Sequence, residues 1–136
     1  MSPRSGSFRA TRREARERAV ELAYEAHIRG LGVDAMISTL VIPPEPFTVE
    51  MLQAYEKTKD RAEALIAETA SGWSLHRMPV IDLLVMRLAV AELFELDTPT
   101  GAVLSEAVEL VGRYSTDESS RFVNGVLAEV ARQVRS

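Results

Sequence analysis

The apolar positions along the chain recur at steps of three and four residues, and this spacing predicts an all-α fold. The first helix is predicted to begin at Thr11, which has the spacing of a capping box with Glu14, and to stop at Gly30. A short second helix is predicted from Asp34, and a long third helix is predicted to be capped by Thr48, beyond a run of prolines. No stretch shows the alternation of period two that is typical of a strand.

The second half of the chain starts with its most apolar segment. Pro79 fits the first position of a helix that is apolar on nearly every side, as expected at the centre of a bundle. An amphipathic helix follows the turn around Pro99, and a last helix is predicted to be capped by Ser119 or Ser120. We therefore predict a compact bundle of six to seven helices.

The breaks in this pattern predict the domain organisation. Residues 1–136 suit a single domain. Within it we expect a flexible basic arm at 1–10, an N-terminal helical subdomain at 11–72 and a C-terminal helical subdomain at 73–136, with a waist near Gly72. Because no secretory signal or membrane-length apolar run is present, we expect a cytoplasmic protein without membrane attachment.

The charge of the chain is unevenly distributed. The formal net charge is −4, yet the first eighteen residues hold six arginines against two glutamates, a net charge of +4. Residues 19–136 carry a net charge of −8. Arg9, Arg12, Arg13 and Arg16 therefore form a candidate phosphate-binding cluster, since guanidinium groups pair with phosphate oxygens. A solvated basic helix end explains the charge run equally well.

A second candidate site lies near the start of the last helix. Arg121 and Phe122 follow Ser119 and Ser120, where free backbone N–H groups would attract phosphate and an aromatic ring would stack on a base. The pattern alone favours the other interpretation of Phe122, in which it belongs to the apolar core stripe of that helix.

Three charged residues interrupt the apolar central helix. Asp82, Arg87 and Glu92 must each reach solvent or find a partner. The step from 87 to 92 does not fit a pair within one helix. We predict internal pairing for Arg87 and keep Asp82 as a candidate interface residue.

Enzymatic chemistry is not indicated. His27 and His76 have no second ligand at helical spacing, and the chain lacks the metal-binding, nucleophile and phosphate-loop motifs that would indicate catalysis. Without cysteine a thiolate metal site is excluded. We expect no catalytic residue, no metal site and no cofactor.

Three motifs in fixed order carry a family resemblance. They are Arg12-Arg13-x-Ala15-Arg16; Gly72-Trp73-Ser74-Leu75 with Arg77-Met78-Pro79-x-x-Asp82; and Ser115-Thr116-Asp117-Glu118-Ser119 with Phe122-Val123-Asn124-Gly125-Val126-Leu127. Over almost its full length the chain resembles the bacterial transcription antitermination factor NusB family. The resemblance implies an all-helical fold of two subdomains and a non-catalytic protein.

The resemblance also implies partners and contact residues. Proteins of this family bind boxA RNA of rRNA operon transcripts with the small-subunit ribosomal protein NusE, and join NusA and NusG on RNA polymerase. The implied RNA contacts on this chain are Arg12, Arg13 and Arg16 at the start, and Glu118, Ser119, Arg121 and Phe122 near the end. Asp82 falls where the family has an acidic residue facing the ribosomal partner.

Two departures and two alternatives accompany the resemblance. Glu14 stands where some relatives have another arginine, and Glu118 stands where the family more often has aspartate. One alternative is a homodimeric helical protein-interaction module with incidental RNA affinity. The other, the RNA-binding part of an rRNA cytosine methyltransferase, is disfavoured because the chain has no cysteine nucleophile and no room for a catalytic domain.

Overall fold

A computed structural model describes residues 11–70 and 77–135. These ranges hold six helices: α1 (Arg12–Arg29), α2 (Val33–Ser38), α3 (Pro46–Thr69), α4 (Val80–Glu95), α5 (Thr100–Tyr114) and α6 (Asp117–Val134). The prediction of an all-α bundle is confirmed. The predicted arm with Arg9, and the 71–76 connection where the predicted subdomain boundary falls, lie outside the described residues, so the division into subdomains stays a prediction.

Helix α4 is the centre of the bundle. It contacts α1, α3, α5 and α6, and its apolar side chains from Leu84 to Leu93 are buried. Because a helix that is apolar on nearly every side must be covered on nearly every side, these four helices pack around it. None of the helices in the described ranges has the length and apolar character needed to cross a membrane.

The ends of α1 agree with the sequence prediction. The Thr11 hydroxyl accepts a hydrogen bond from the backbone N–H of Glu14 (3.1 Å), and the Glu14 carboxylate accepts one from the backbone N–H of Thr11 (2.9 Å). This capping box satisfies two backbone donors that the helix leaves free. Gly30 ends the helix with a φ of 67°, in the left-handed region that favours glycine.

Two of the predicted starts in the first half were wrong. Helix α2 begins at Val33 after Gly32, so Asp34 lies in its first turn and does not cap it. Helix α3 begins at Pro46, whose fixed φ suits a first helical position. The Thr48 hydroxyl, which was predicted to cap this helix, is buried and donates to the backbone carbonyl of Ala15 on α1 (2.9 Å).

The starts of α4 and α6 also differ from the prediction. Pro79 is the residue before α4, which begins at Val80. Thr116 caps α6, because its hydroxyl accepts a hydrogen bond from the backbone N–H of Ser119 (3.1 Å). Ser119 therefore lies inside the first turn, and Phe122 lies in the second turn. The free backbone N–H groups of this helix belong to residues before Phe122.

Arg135 ties the C-terminal end of the chain to the end of α4. Its guanidinium donates hydrogen bonds to four backbone carbonyls and one hydroxyl there: Glu92 O (3.3 Å), Leu93 O (2.9 Å), Leu96 O (2.8 Å), Thr98 O (2.5 Å) and Thr100 Oγ1 (3.2 Å). Carbonyls at a helix C-terminus lack partners within the helix, and a cation there is electrostatically favoured. One side chain thus satisfies the backbone carbonyls at the junction between α4 and α5.

We predict that Arg135→Ala lowers the free energy of unfolding by about 1–3 kcal/mol, because several charge-assisted hydrogen bonds are lost together. Urea denaturation followed by circular dichroism measures this. The matched control is Arg132→Ala, which removes an exposed arginine that pairs with Glu129 on the same helix. Equal stability of the two variants would contradict the role assigned to Arg135.

Candidate nucleic-acid interface

The three described arginines at the start of α1 have different surroundings. Arg12 is exposed, and its guanidinium carbon lies 3.8 Å from the centroid of the Phe47 ring, a cation–π contact. Arg13 is exposed but forms ion pairs with α5. Arg16 is buried. The arginine-rich motif therefore presents two side chains at the surface and places the third in the interior.

Arg16 forms a buried ion pair with Glu92 of α4. Arg16 Nε lies 3.2 Å from Glu92 Oε1, and Arg16 Nη2 lies 2.5 Å from Glu92 Oε2. The two side chains are only 7% and 2% exposed. This is the two-pronged geometry in which a guanidinium and a carboxylate satisfy each other best. The pair fixes α1 against α4, so Arg16 positions its neighbours, and its own contact with RNA stays a prediction.

Arg13 is bound by two carboxylates of α5. It donates to Glu106 through Nε (3.2 Å) and Nη2 (3.0 Å), and Nη1 lies 3.7 Å from Glu109 Oε2. The hydrogen bond to Glu106 raises the pKa of the Arg13 guanidinium and lowers the pKa of the Glu106 carboxyl, because each charge stabilises the other. The basic start of the chain is thus electrostatically matched to α5.

Sequence reasoning missed Arg113, an exposed residue of α5 in the same charged network. Its guanidinium pairs with Glu17 of α1 and lies 3.8 Å from Glu109 Oε2 through Nη2. The available signal was the register of α5, where Glu106, Glu109 and Arg113 fall at i, i+3 and i+7 on one face. The partners on α1 are distant in sequence, so that register alone did not indicate a site.

The second candidate region is an open groove of about 490 Å³ between the start of α4 and the start of α6. Its lining residues are Arg77, Met78, Pro79, Asp82, Thr116, Glu118, Ser119 and Phe122. The structure therefore brings the predicted partner residue Asp82 together with three of the predicted RNA-contact residues. Arg121 is exposed and is not part of the lining.

Phe122 has both of the roles that the sequence pattern left open. It is half-buried and packs against the hydrophobic core, and it also lines the groove. A half-buried aromatic ring that lines a groove is a suitable platform for a flat ligand such as a base.

Asp82 is the most unusual residue of the groove. It is 2% exposed, and its Oδ1 has no hydrogen-bond partner among the residues that the structure describes. A buried carboxylate oxygen without a donor is costly, so a ligand that supplies a donor would be bound favourably. Arg87, in contrast, pairs with Glu63 (3.2 Å) and stacks on the Tyr55 ring (4.5 Å), which confirms its predicted internal pairing.

Helix α5 lies between the two candidate regions. Its carboxylates hold Arg13, and near its C-terminal end it packs against the first turn of α6. A Cβ atom placed on Gly112 would lie 3.4 Å from the Ser120 hydroxyl oxygen, so the two helices approach closely at this point. Arg113, the next residue, contacts Glu17 of α1.

Solved structures identify the class of this fold. The chain superposes on T. maritima NusB with a TM-score of 0.81 and 26% identity, over 92% of this chain and 93% of that one. A structure of antitermination factors NusB and NusE in complex with dsRNA matches with a TM-score of 0.75 and 23% identity, over 90% of this chain and 96% of the other. The bundle is therefore a NusB fold.

Sequence comparison extends this from fold to family. The NusB family model matches residues 13–132. The transcription antitermination protein NusB of Saccharopolyspora erythraea is 42% identical over 127 residues, which cover 88% of this chain and 86% of that protein. The protein of the same name from Salinispora tropica is 41% identical over 128 residues, covering 88% and 94%. The chain belongs to the NusB family, as its motifs indicated.

We predict that Glu92→Gln lowers the free energy of unfolding by about 3–5 kcal/mol, because it leaves the Arg16 charge buried without a counter-charge. Guanidinium denaturation measures this. The matched control is Glu95→Gln, three residues after Glu92 on α4. It removes a carboxylate that is paired with the exposed Lys57. The double replacement Arg16→Met with Glu92→Leu is expected to recover most of the stability, and a double variant as unstable as Glu92→Gln would contradict this explanation.

Proposed function

We propose that this chain is a non-catalytic, RNA-binding transcription antitermination factor that recognises boxA RNA of rRNA operon transcripts together with a NusE-type ribosomal protein. The observation that carries the proposal is the single groove that joins Asp82 to Glu118, Ser119 and Phe122 in a chain of the NusB family. Its relatives are transcription antitermination proteins, and a solved structure of the same fold holds NusB and NusE with dsRNA.

The groove supplies the base-reading part of this function. The half-buried Phe122 ring stacks on an unpaired base. Stacking of this kind has a similar strength for every base. The Ser119 hydroxyl and the Glu118 carboxylate lie beside it and form hydrogen bonds with base edges, which distinguish one base from another. Arg121 is exposed next to the groove and neutralises a neighbouring phosphate.

The start of α1 supplies the phosphate-binding part. Arg12 is held over the Phe47 ring, so less side-chain freedom is lost when it binds an anion. Arg13 is exposed beside it, and Arg9 precedes them in the chain. Arg16 supports these contacts indirectly, because its buried pair with Glu92 fixes α1 against α4. Affinity from such contacts falls steeply with salt, whereas base preference does not depend on them.

The protein partner is proposed to bind at Asp82. A basic side chain from a ribosomal protein would supply the donor that Asp82 Oδ1 lacks among the described residues. The net charge of −8 over residues 19–136 also favours association with a basic protein. From the family resemblance we further propose assembly with NusA and NusG on RNA polymerase in the cytoplasm.

The alternative of a homodimeric interaction module makes a different prediction. If two copies bind through their basic faces, RNA and self-association compete for the same arginines. Sedimentation over a range of protein concentrations, with and without RNA, separates the two. A monomer that binds RNA at every concentration supports the proposed function.

We predict that Phe122→Ala weakens binding of a boxA-like RNA by about tenfold or more, because the stacking of a base is lost. Fluorescence anisotropy with labelled boxA-like and scrambled RNAs, with and without the ribosomal partner, measures this. Phe94→Ala is the control, since Phe94 is also half-buried against the core but pairs with Arg61 outside the groove. An equal loss in both variants, or equal binding of both RNAs by the unmodified protein under all conditions, would refute the proposal.

We predict that Asp82→Asn weakens binding of the NusE-type partner by about tenfold or more, because a buried charge pair across the interface is lost. Isothermal titration calorimetry measures this. The unbound variant is expected to be as stable as the parent or more stable, because a buried carboxylate oxygen without a donor has been neutralised. Asp97→Asn, at an exposed aspartate, is the control. Unchanged affinity in Asp82→Asn would remove Asp82 from the interface.

A further inference from the structure

One carboxylate oxygen of α5 lies between two exposed arginines of different helices. Glu109 Oε2 is 3.7 Å from Arg13 Nη1 and 3.8 Å from Arg113 Nη2. Two guanidinium groups that converge on a single anionic oxygen reproduce the environment that arginines give a phosphate oxygen. The site is therefore already shaped for an anion, and the chain's own side chain occupies it.

The two carboxylates that contact Arg13 are held with different strength. Glu106 makes two hydrogen bonds to Arg13 and its side chain is 18% exposed. The Glu109 side chain is 45% exposed, and both of its separations from Arg13 and Arg113 exceed hydrogen-bond length. Exposed ion pairs of this kind contribute little stability. Glu109 is thus the partner that exchanges easily, whereas Glu106 keeps Arg13 in place.

The remaining contacts of the network support such an exchange. Arg113 Nη1 is paired with Glu17 of α1, so Arg113 stays oriented when Glu109 leaves Nη2. Arg13 Nη1, the nitrogen that faces Glu109, is not needed for the pair with Glu106, which uses Nε and Nη2. Both arginines therefore keep one fixed partner and offer one donor group to a second anion.

We propose that Glu109 is an internal substitute for an RNA phosphate: it occupies the site between Arg13 and Arg113 in the free protein and is displaced by a phosphate when RNA binds. Arg113 thereby becomes an RNA contact together with Arg13 at the start of α1. Because a phosphate of any RNA must first displace the Glu109 carboxylate, this site lowers the affinity for all RNAs equally. Discrimination between RNA sequences is left to the groove. This inference rests on the proposed function.

The experiment compares Glu109→Gln with the matched control Glu129→Gln. Both replacements remove one exposed negative charge that contacts arginine, but Glu129 pairs with Arg132 in the last turns of α6. Binding of a boxA-like RNA and of a scrambled RNA of equal length is measured by fluorescence anisotropy at several salt concentrations. Glu109→Gln is expected to bind both RNAs about twofold to fivefold more tightly, and Glu129→Gln is expected to match the unmodified protein.

Arg113→Ala, alone and combined with Glu109→Gln, tests whether the gain depends on the released arginines. Arg113→Ala is expected to weaken the binding of both RNAs to the same extent. It is also expected to reduce the slope of log affinity against log salt concentration by about one. The gain from Glu109→Gln is expected to shrink in the Arg113→Ala background. An equal gain there would show that Glu109 acts only through net charge and would overturn the inference.

The outcomes separate this inference from the proposed function. If the unmodified protein prefers the boxA-like RNA but Glu109→Gln and Glu129→Gln bind alike, the inference is overturned and the function stands. If the unmodified protein shows no preference with or without the ribosomal partner, but Glu109→Gln binds both RNAs more tightly, the function is overturned and the anion site stands. If no RNA binds to any variant, both are overturned.

Discussion

The buried ion pair between Arg16 and Glu92 is the interaction on which the arrangement of the site depends. Neither charge is tolerated alone in the interior, so each requires the other at one fixed position. This requirement sets both the rotation of α1 about its own axis and its position along the central helix α4. As a result Ala15 and Ala19 face the core, while Arg12 and Arg13, a turn earlier, are held at the surface.

The candidate interface is composite, and α5 connects its two regions. Glu106 of α5 fixes Arg13, and Gly112, further along α5, lies against Ser120 in the first turn of α6. The basic residues of this surface are largely paired with carboxylates, so it is not a uniformly positive patch. Matched charges of this kind favour selective binding over high affinity for any polyanion. In the proposed function, the groove around Phe122 carries the sequence preference.

Features that depend on neighbouring residues were predictable from the sequence: the helical class, the capping box of Thr11 and the stop at Gly30. Features that depend on distant residues were not. Thr48 has the side chain of a helix cap, but its hydroxyl bonds to Ala15 on another helix. The burial of Arg16 depends on Glu92, which lies far along the chain. A basic motif therefore indicated a binding surface without showing which of its arginines reach solvent.

The central claim is that the start of α1 and the groove form one RNA interface. Mapping of ¹⁵N backbone chemical shifts during titration with a boxA-like RNA tests it most directly. If they do form one interface, the amides of Arg12 and Arg13 and those of Ser119 and Phe122 shift together, with the same apparent Kd. Shifts confined to one region, or two regions with clearly different Kd values, would contradict it.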